Sequence, residues 1–572
     1  MITLDDDQKK AIYSSREKSL LVLAPPGAGK TLVMAKRIEF LIRTKAIRSP
    51  YKILGLTFSN SAADEMKKRV IKEVSGSKGR VHITNFHSFA YSVLKAYGNR
   101  AIIKRNFSVL GELDSEGLII DKLGISGSFS LSKYDERRKA AQKMLDRYKI
   151  WKIERILKLN GDYCDKKFDK HFEAALNAFK DELRNINALD FDHILYYSYI
   201  LLKNNENILN YYRSVFQYIL VDEFQDTNPI QFKLLELLAN GIDSSLPNRP
   251  VFILADPNQG IYEFQGANPK NIEDLLNTFN IEKIELKGDH RFGSDGIKKL
   301  IDEISNFIEE KTLSLSPSQS DKPVYCIFDN KKDEAHYIHE KIKEFKDDVK
   351  LHEIAILSPQ GYNLDIIKKR LNKEEYIFLP DFKGIEIEKK YKSLFNELKK
   401  TAGIKGCLEE IIIDITKKIG IEIDNDLLQI LINIARKYDN KVSMMLQDKI
   451  LLFSNEVLLE INWGDILRKE IKNKIFLSTI HSAKGLEFQK VIVCGIESGS
   501  LPFFVSCNKC NEHGLDENSW MESLKLLNVG VSRAKLELLI SSSNSRRRFK
   551  THPSCVLKPF YRHLEILNTT LL

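Results

Sequence analysis

The residues with the clearest chemistry lie near the start of the chain. There the apolar run LLVLA leads into Ala24-Pro25-Pro26-Gly27-Ala28-Gly29-Lys30-Thr31. A strand running into a Gly-rich turn and then a helix lets backbone N–H groups wrap phosphate oxygens. In that frame Lys30 reaches the β- and γ-phosphates and the Thr31 hydroxyl ligates Mg2+. A turn of this composition also occurs as an ordinary tight loop, but the strand before it and the helix after it favour nucleotide binding. The first position of the motif is Ala24, where glycine is usual.

A second acidic element, ILVDEFQDT, ends an apolar run with Asp222 and Glu223. Beside a phosphate-binding turn, Asp222 is placed to hold Mg2+ and Glu223 to polarise an attacking water. Alone, such a pair reads equally well as solvated carboxylates. Phosphoryl transfer also gains from cations that meet the γ-phosphate as charge builds up. Arg291 in LKGDHRFG and Arg533 in NVGVSRA are the candidates, although most arginines only solvate a surface.

These residues need elements to position them. Apolar, β-branched runs occur at Ser19–Ala24, Lys52–Phe58, Val81–Phe86, Tyr218–Asp222 and Pro250–Ala255. A second set follows at Pro323–Phe328, Glu353–Leu357, Ile475–Ile480, Lys490–Gly495 and Glu537–Ser541. Their alternation with helical stretches predicts two parallel α/β cores. Charged, helix-patterned sequence interrupts each core, at 91–203 and, more briefly, at 386–473. The first core then comprises 1–90 and 204–284, and the second 285–385 and 474–572.

Composition bounds the class. The 572 residues are 43% hydrophobic, enough for several cores. No stretch of about 18 apolar residues is present, and MITLDDDQKK has no signal-peptide character, so a cytoplasmic protein with no membrane partner is expected. Seven cysteines in so long a chain do not form a disulfide framework. The formal charge of +10, from 88 basic and 78 acidic residues, fits a polyanionic partner without specifying one.

Taken in order, the motifs resemble those of the UvrD/Rep-like superfamily 1 DNA helicases over nearly the whole chain. Gln8 in LDDDQKKAI resembles the adenine-reading Q motif. LGLTFSNSAADEMKKRV and TNFHSFA resemble two segments that touch single-stranded DNA, and LVDEFQDTN the Walker B motif. ILADPNQGIYEFQGAN resembles the coupling motif, and LSTIHSAKGLEF is the most specific string.

The resemblance implies two RecA-like P-loop cores with ATP between them. It assigns Lys30, Glu223, Gln259, Arg291 and Arg533 to catalysis, with Gln259 sensing the γ-phosphate. Gln8, Arg37, His290 and Glu487 join the P-loop in holding the nucleotide, Arg37 and His290 against the adenine and Glu487 on the ribose. Phe58, Asn60, Phe86, His87, Tyr262, Phe264 and His481 would meet DNA, and movement would run 3′ to 5′.

Two departures stand out. The usual Asn-Tyr-Arg-Ser is Asp289-His290-Arg291-Phe292 here, so a smaller ring takes the stacking position. The usual Trp-Arg-Gly is Phe264-Gln265-Gly266, which keeps an aromatic platform and loses a cation. Stacking tolerates any base, so sequence-independent translocation survives.

The function expected is an ATP-dependent translocase or helicase on single-stranded or tailed DNA. The alternative is a DNA-stimulated ATPase subunit that senses DNA ends and regulates a partner nuclease. Its motive is the short second insertion, and compact relatives of this kind serve in bacterial antiviral defence. Cys507, Cys510 and His513 have metal-compatible spacing for zinc, with Asp516 or Cys555 as a fourth ligand, but no second pair at such spacing follows and a plain solvated loop is the stronger reading. The basic run Ser545–Lys550 reads as a charged face that could touch phosphate.

Overall fold

The computed structural model describes residues 4–568 apart from 59, 102, 105, 112–114, 116, 120, 122–144, 146–169, 243–246, 264–265, 269, 314–315, 319–320, 373–374, 380–386, 388–389, 402–405, 421–422, 424, 442–443, 460–472, 503–516 and 547–548. Much of the stretch 91–203 therefore lies outside the described residues. So do Phe264, Cys507, Cys510, His513 and Asp516.

Six strands form the first sheet, in the order Val81–Asn85, Lys52–Thr57, Phe216–Val221, Val251–Ala255, Ser19–Leu23, Ile281–Glu285. All its pairings are parallel. Burial on both faces explains the near-continuous apolar strands. Side chains alternate between two cores: Leu21, Leu54, Ile219 and Ile253 join one cluster, whereas Leu20, Ile53, Leu220 and Leu254 join the other. Helices Phe86–Tyr97, Phe191–Asn204 and Pro229–Asn240 cover the first face. Helices Asp6–Tyr13, Lys30–Arg43 and Asn60–Glu73 cover the second.

The second sheet has seven parallel strands, in the order Tyr376–Phe378, Ile475–Thr479, Ile354–Ser358, Phe488–Val493, Ala534–Ser543, Val324–Phe328, Glu565–Asn568. One face packs on helices Asp295–Glu310 and Glu517–Val531, and the other on Lys331–Asp348.

Helices Lys392–Lys400, Leu408–Ile419, Asn425–Asp439 and Leu446–Leu458 enclose a cluster of their own around Leu394, Ile412, Leu431 and Phe453. The end of the last helix leaves that cluster, and Leu458 and Leu459 are buried in the first core's hydrophobic cluster. Asn455 fixes the junction. Its Oδ1 accepts the Val109 N–H at 2.9 Å, while its Nδ2 donates to Tyr91 Oη at 3.2 Å and the Phe107 carbonyl at 3.1 Å. Among the described residues no helix is long and apolar enough to cross a membrane.

Candidate nucleotide and nucleic-acid site

The phosphate turn follows strand Ser19–Leu23 and ends where helix Lys30–Arg43 begins. Gly27 and Gly29 hold φ of +87° and +79°, the left-handed region that glycine enters without a Cβ clash. A Cβ on Gly29 would lie 2.8 Å from Gln8 Nε2, and one on Gly27 would lie 2.6 Å from Asp289 Oδ1. The turn is thus narrow as well as restricted to glycine at both positions. Lys30 Nζ donates to the Ala24 carbonyl at 2.8 Å and faces Asp256 Oδ2 at 3.4 Å. Burial raises the Asp256 carboxyl, an effect that Lys30 counters.

Gln8 and Arg37 bind protein groups. Gln8 Nε2 donates to the Ala28 carbonyl at 3.1 Å, so this amide braces the P-loop. Arg37 is 0% exposed and offers no free face. Its guanidinium donates to the carbonyls of Ile12, Ser14 and Ser15 and to Tyr218 Oη. The expected place against adenine gives way to one that ties the first helix to the sheet, because a buried guanidinium must satisfy its donors internally. His290 Nε2 lies 2.9 Å from Asp5 Oδ2, and its backbone N–H donates to the Gly27 carbonyl at 2.9 Å. It therefore sits beside the turn.

Strand Phe216–Val221 delivers Asp222 and Glu223 to the same end of the sheet. Glu223 has φ of +52°, a costly conformation for a residue with a Cβ, of the kind that clusters at functional sites. Its N–H donates to Asp222 Oδ1 at 3.0 Å, and its Oε2 accepts from Gln225 Nε2. Burial pushes the Glu223 carboxyl up. Lys30, Lys484, the Gln225 hydrogen bond and Arg533 outweigh it and hold the group below the ordinary glutamate range.

The two arginines approach from the second core. Arg533 is buried, and its Nη2 donates to Gln259 Oε1 at 3.1 Å. Its other donors go to the carbonyls of Leu486 and Val529, both at 3.0 Å. Burial and the neighbouring Arg291 pull its pKa down to about 10, so it stays charged at neutral pH. Arg291 Nε pairs with Glu487 Oε2 at 3.1 Å, and Lys535 takes the other oxygen of Glu487 at 2.6 Å. Gln259 Nε2 is buried and has no hydrogen-bond partner among the described residues. An orphaned buried amide beside a phosphate turn fits an oxygen-rich ligand such as the ATP triphosphate. Thr31 and Asp222 are the residues that would hold Mg2+ there.

The expected DNA residues divide. Phe58 and Tyr262 stack with centroids 4.3 Å apart and planes tilted by 31°, and Tyr262 Oη donates to the His481 carbonyl at 2.8 Å. This brings three of them together between the cores. Asn60 Nδ2 donates to the Leu459 carbonyl at 2.7 Å, and His87 packs edge-on against Phe191. Phe86 is 2% exposed within the first core's cluster, so it supports the segment from beneath and cannot meet a strand directly.

Sequence reasoning gave no role to Asp226, Asp256 or Lys484, although each lies inside a quoted motif. Lys484 pairs with Asp226, whose carboxyl burial raises to about 6. Among the described residues no group of three or more His, Cys, Asp or Glu could hold a metal ion. The Cys507, Cys510 and His513 trio lies outside those residues.

Comparison with known proteins gives one answer. The UvrD/REP helicase N-terminal domain matches residues 4–280, and the UvrD-like helicase C-terminal domain matches residues 381–545. A probable DNA helicase II homolog of Mycoplasma capricolum is 27% identical over 95% of this chain and 84% of its own. The ATP-dependent DNA helicase PcrA of Staphylococcus epidermidis is 25% identical over 98% and 86%, respectively. The ATP-dependent DNA helicase Rep of Buchnera aphidicola is 26% identical over 96% and 94%. With its two parallel cores and the motifs at their junction, the chain belongs to the UvrD/Rep family of superfamily 1 DNA helicases, enzymes that hydrolyse ATP.

Proposed function

We propose that this protein is an ATP-driven translocase on single-stranded DNA, moving 3′ to 5′ and separating strands ahead of it. The observation that carries this reading is the contact between Arg533 Nη2 and Gln259 Oε1 across the two cores, beside a Gln259 Nε2 with no hydrogen-bond partner among the described residues. ATP would lie on the Gly27–Thr31 turn. Arg533 and Arg291 would exchange their present partners, Gln259 and Glu487, for the γ-phosphate, drawing the cores together. Mg2+ on Thr31 and Asp222 would supply electrostatic stabilisation of the phosphates. Glu223, held ionised by its neighbours, accepts the proton of the attacking water.

On this reading Phe58, Tyr262 and His481 form the stacking side of the DNA path, with Asn60 and His87 at its polar edge. Rings read no sequence, which suits a motor. The proposed domains are those read from the sequence, with 91–203 and 386–473 as insertions, except that the end of helix Phe86–Tyr97 and helix Phe191–Asn204 pack on the first sheet and belong with the first core. The Asn455 junction supports a docked second insertion.

The test is ATP-driven unwinding of a 3′-tailed duplex compared with a 5′-tailed one. Unwinding of the 3′-tailed substrate alone is expected, together with its loss in Lys30→Ala. Preference for the 5′ tail overturns the polarity, and unwinding retained in Lys30→Ala overturns the site assignment.

A further inference from the structure

Lys484 occupies a position where the ATP-side and DNA-side motifs converge on a single side chain. It follows the turn His481–Ala483 in the second core, and its side chain is 5% exposed. Its Nζ donates to Asp226 Oδ2 and to the Gln259 backbone carbonyl. The same Nζ lies 5.4 Å from the Tyr262 ring centroid. A cation at that distance is attracted to the ring face.

Each partner leads elsewhere. Gln259 carries the side chain that Arg533 holds at 3.1 Å. Asp226 closes the turn that begins at Glu223, through a backbone bond of 3.0 Å, and its Oδ1 accepts the Ile261 N–H at 3.4 Å. Tyr262 stacks on Phe58 and bonds the His481 carbonyl. A change at Gln259 therefore moves the acceptor of Lys484, and a change at Tyr262 moves the ring beneath the same ammonium. Desolvation makes the arrangement stiff, because a buried ammonium that gives up one acceptor must find another.

We infer that Lys484, anchored by Asp226, is a positioning residue that transmits the nucleotide state of the Gln259–Arg533 junction to the Tyr262–Phe58 platform. The inference rests on the translocase reading above and adds the route by which its two halves communicate. Thermodynamic linkage makes the transmission reciprocal: DNA at the rings must shift nucleotide affinity by the same factor as nucleotide shifts DNA affinity.

The experiment uses the full chain, a single-stranded oligothymidylate and a non-hydrolysable ATP analogue. Two ratios are read: ATP turnover with oligonucleotide over turnover without it, and oligonucleotide Kd without analogue over Kd with it. A purely structural defect lowers both members of a ratio together, whereas loss of transmission moves the ratio itself. Lys484→Met and Asp226→Asn are each expected to cut the turnover ratio at least tenfold and to bring the Kd ratio close to one. The double variant should be no worse than the more severe single, as for residues acting as a unit. If Lys484→Met does not fold, Asp226→Asn alone decides, since it is isosteric and keeps an acceptor for the Ile261 N–H. Ratios within twofold of wild type in a folded single variant overturn the inference, as does a double variant that loses the product of the two single effects. A wild-type chain not stimulated by the oligonucleotide would instead overturn the translocase reading, and the relay with it.

Discussion

Arg533 of the second core donates to the side-chain oxygen of Gln259 in the first, at 3.1 Å, so the two cores meet through the pair that is proposed to surround the γ-phosphate. Because three further acceptors, all in the second core, hold the same guanidinium, its position within that core is fixed before any ligand arrives.

Removing that charge should therefore act on the chemical step. Arg533→Ala is expected to lower the DNA-stimulated ATP turnover roughly a hundredfold or more, the usual scale for a preorganised transition-state donor. Arg533→Lys should recover little, since one ammonium cannot serve acceptors spread around a planar fork. Steady-state phosphate release checks both.

The P-loop turn predicts a steric failure. Gly29→Ala places a Cβ 2.8 Å from Gln8 Nε2 at a φ of +79°. Strain of about 1–3 kcal/mol is expected. A lower Tm and weaker binding of a fluorescent ATP analogue should appear together.

His481 makes a pH-dependent contribution to stability. Burial, aided by Lys484, lowers its pKa to about 4. The unfolded chain, with an ordinary histidine pKa near 6.5, then binds more protons between those values. The contribution is complete above about pH 6.5 and is lost progressively as pH falls towards 4. Thermal unfolding between pH 4.5 and 7.5 should show a shallower acid decline in His481→Asn than in wild type.

The docked insertion predicts a local effect. Asn455→Ala leaves the Val109 N–H and the Phe107 carbonyl without their buried partner. A loss of about 2 kcal/mol or more is expected, since each orphaned group costs about 1–3 kcal/mol. Denaturant unfolding measures the loss, and faster hydrogen exchange at the Val109 amide locates it.

Much of this could be read from the residues. Central strands such as Val251–Ala255 announce themselves because they are buried on both faces and wholly apolar. In the two large sheets the strands that escaped notice, Ile281–Glu285, Tyr376–Phe378 and Glu565–Asn568, all lie at edges, and charged or half-exposed positions dilute their pattern. The phosphate turn was legible because its glycines are a local requirement. Arg37 was not, since the Tyr218 hydroxyl that holds it lies 181 residues away. Phe86 shows the same limit: an aromatic at a strand end looks alike in sequence whether it faces solvent or a core. The Lys484–Asp226 pair spans 258 residues, and no spacing rule connects them.

Phe58 and Tyr262, at 4.3 Å between centroids, leave no gap for a third ring. On the proposed DNA path an incoming base would have to displace one ring from the other, so the protein's own aromatic pair would compete with the strand for each face. Binding at that point becomes an exchange of one stacked partner for another, with little net apolar surface removed from water. A motor benefits from such a swap, because a grip that is cheap to form is equally cheap to release, and the strand can slip to its next register without falling into a deep trap.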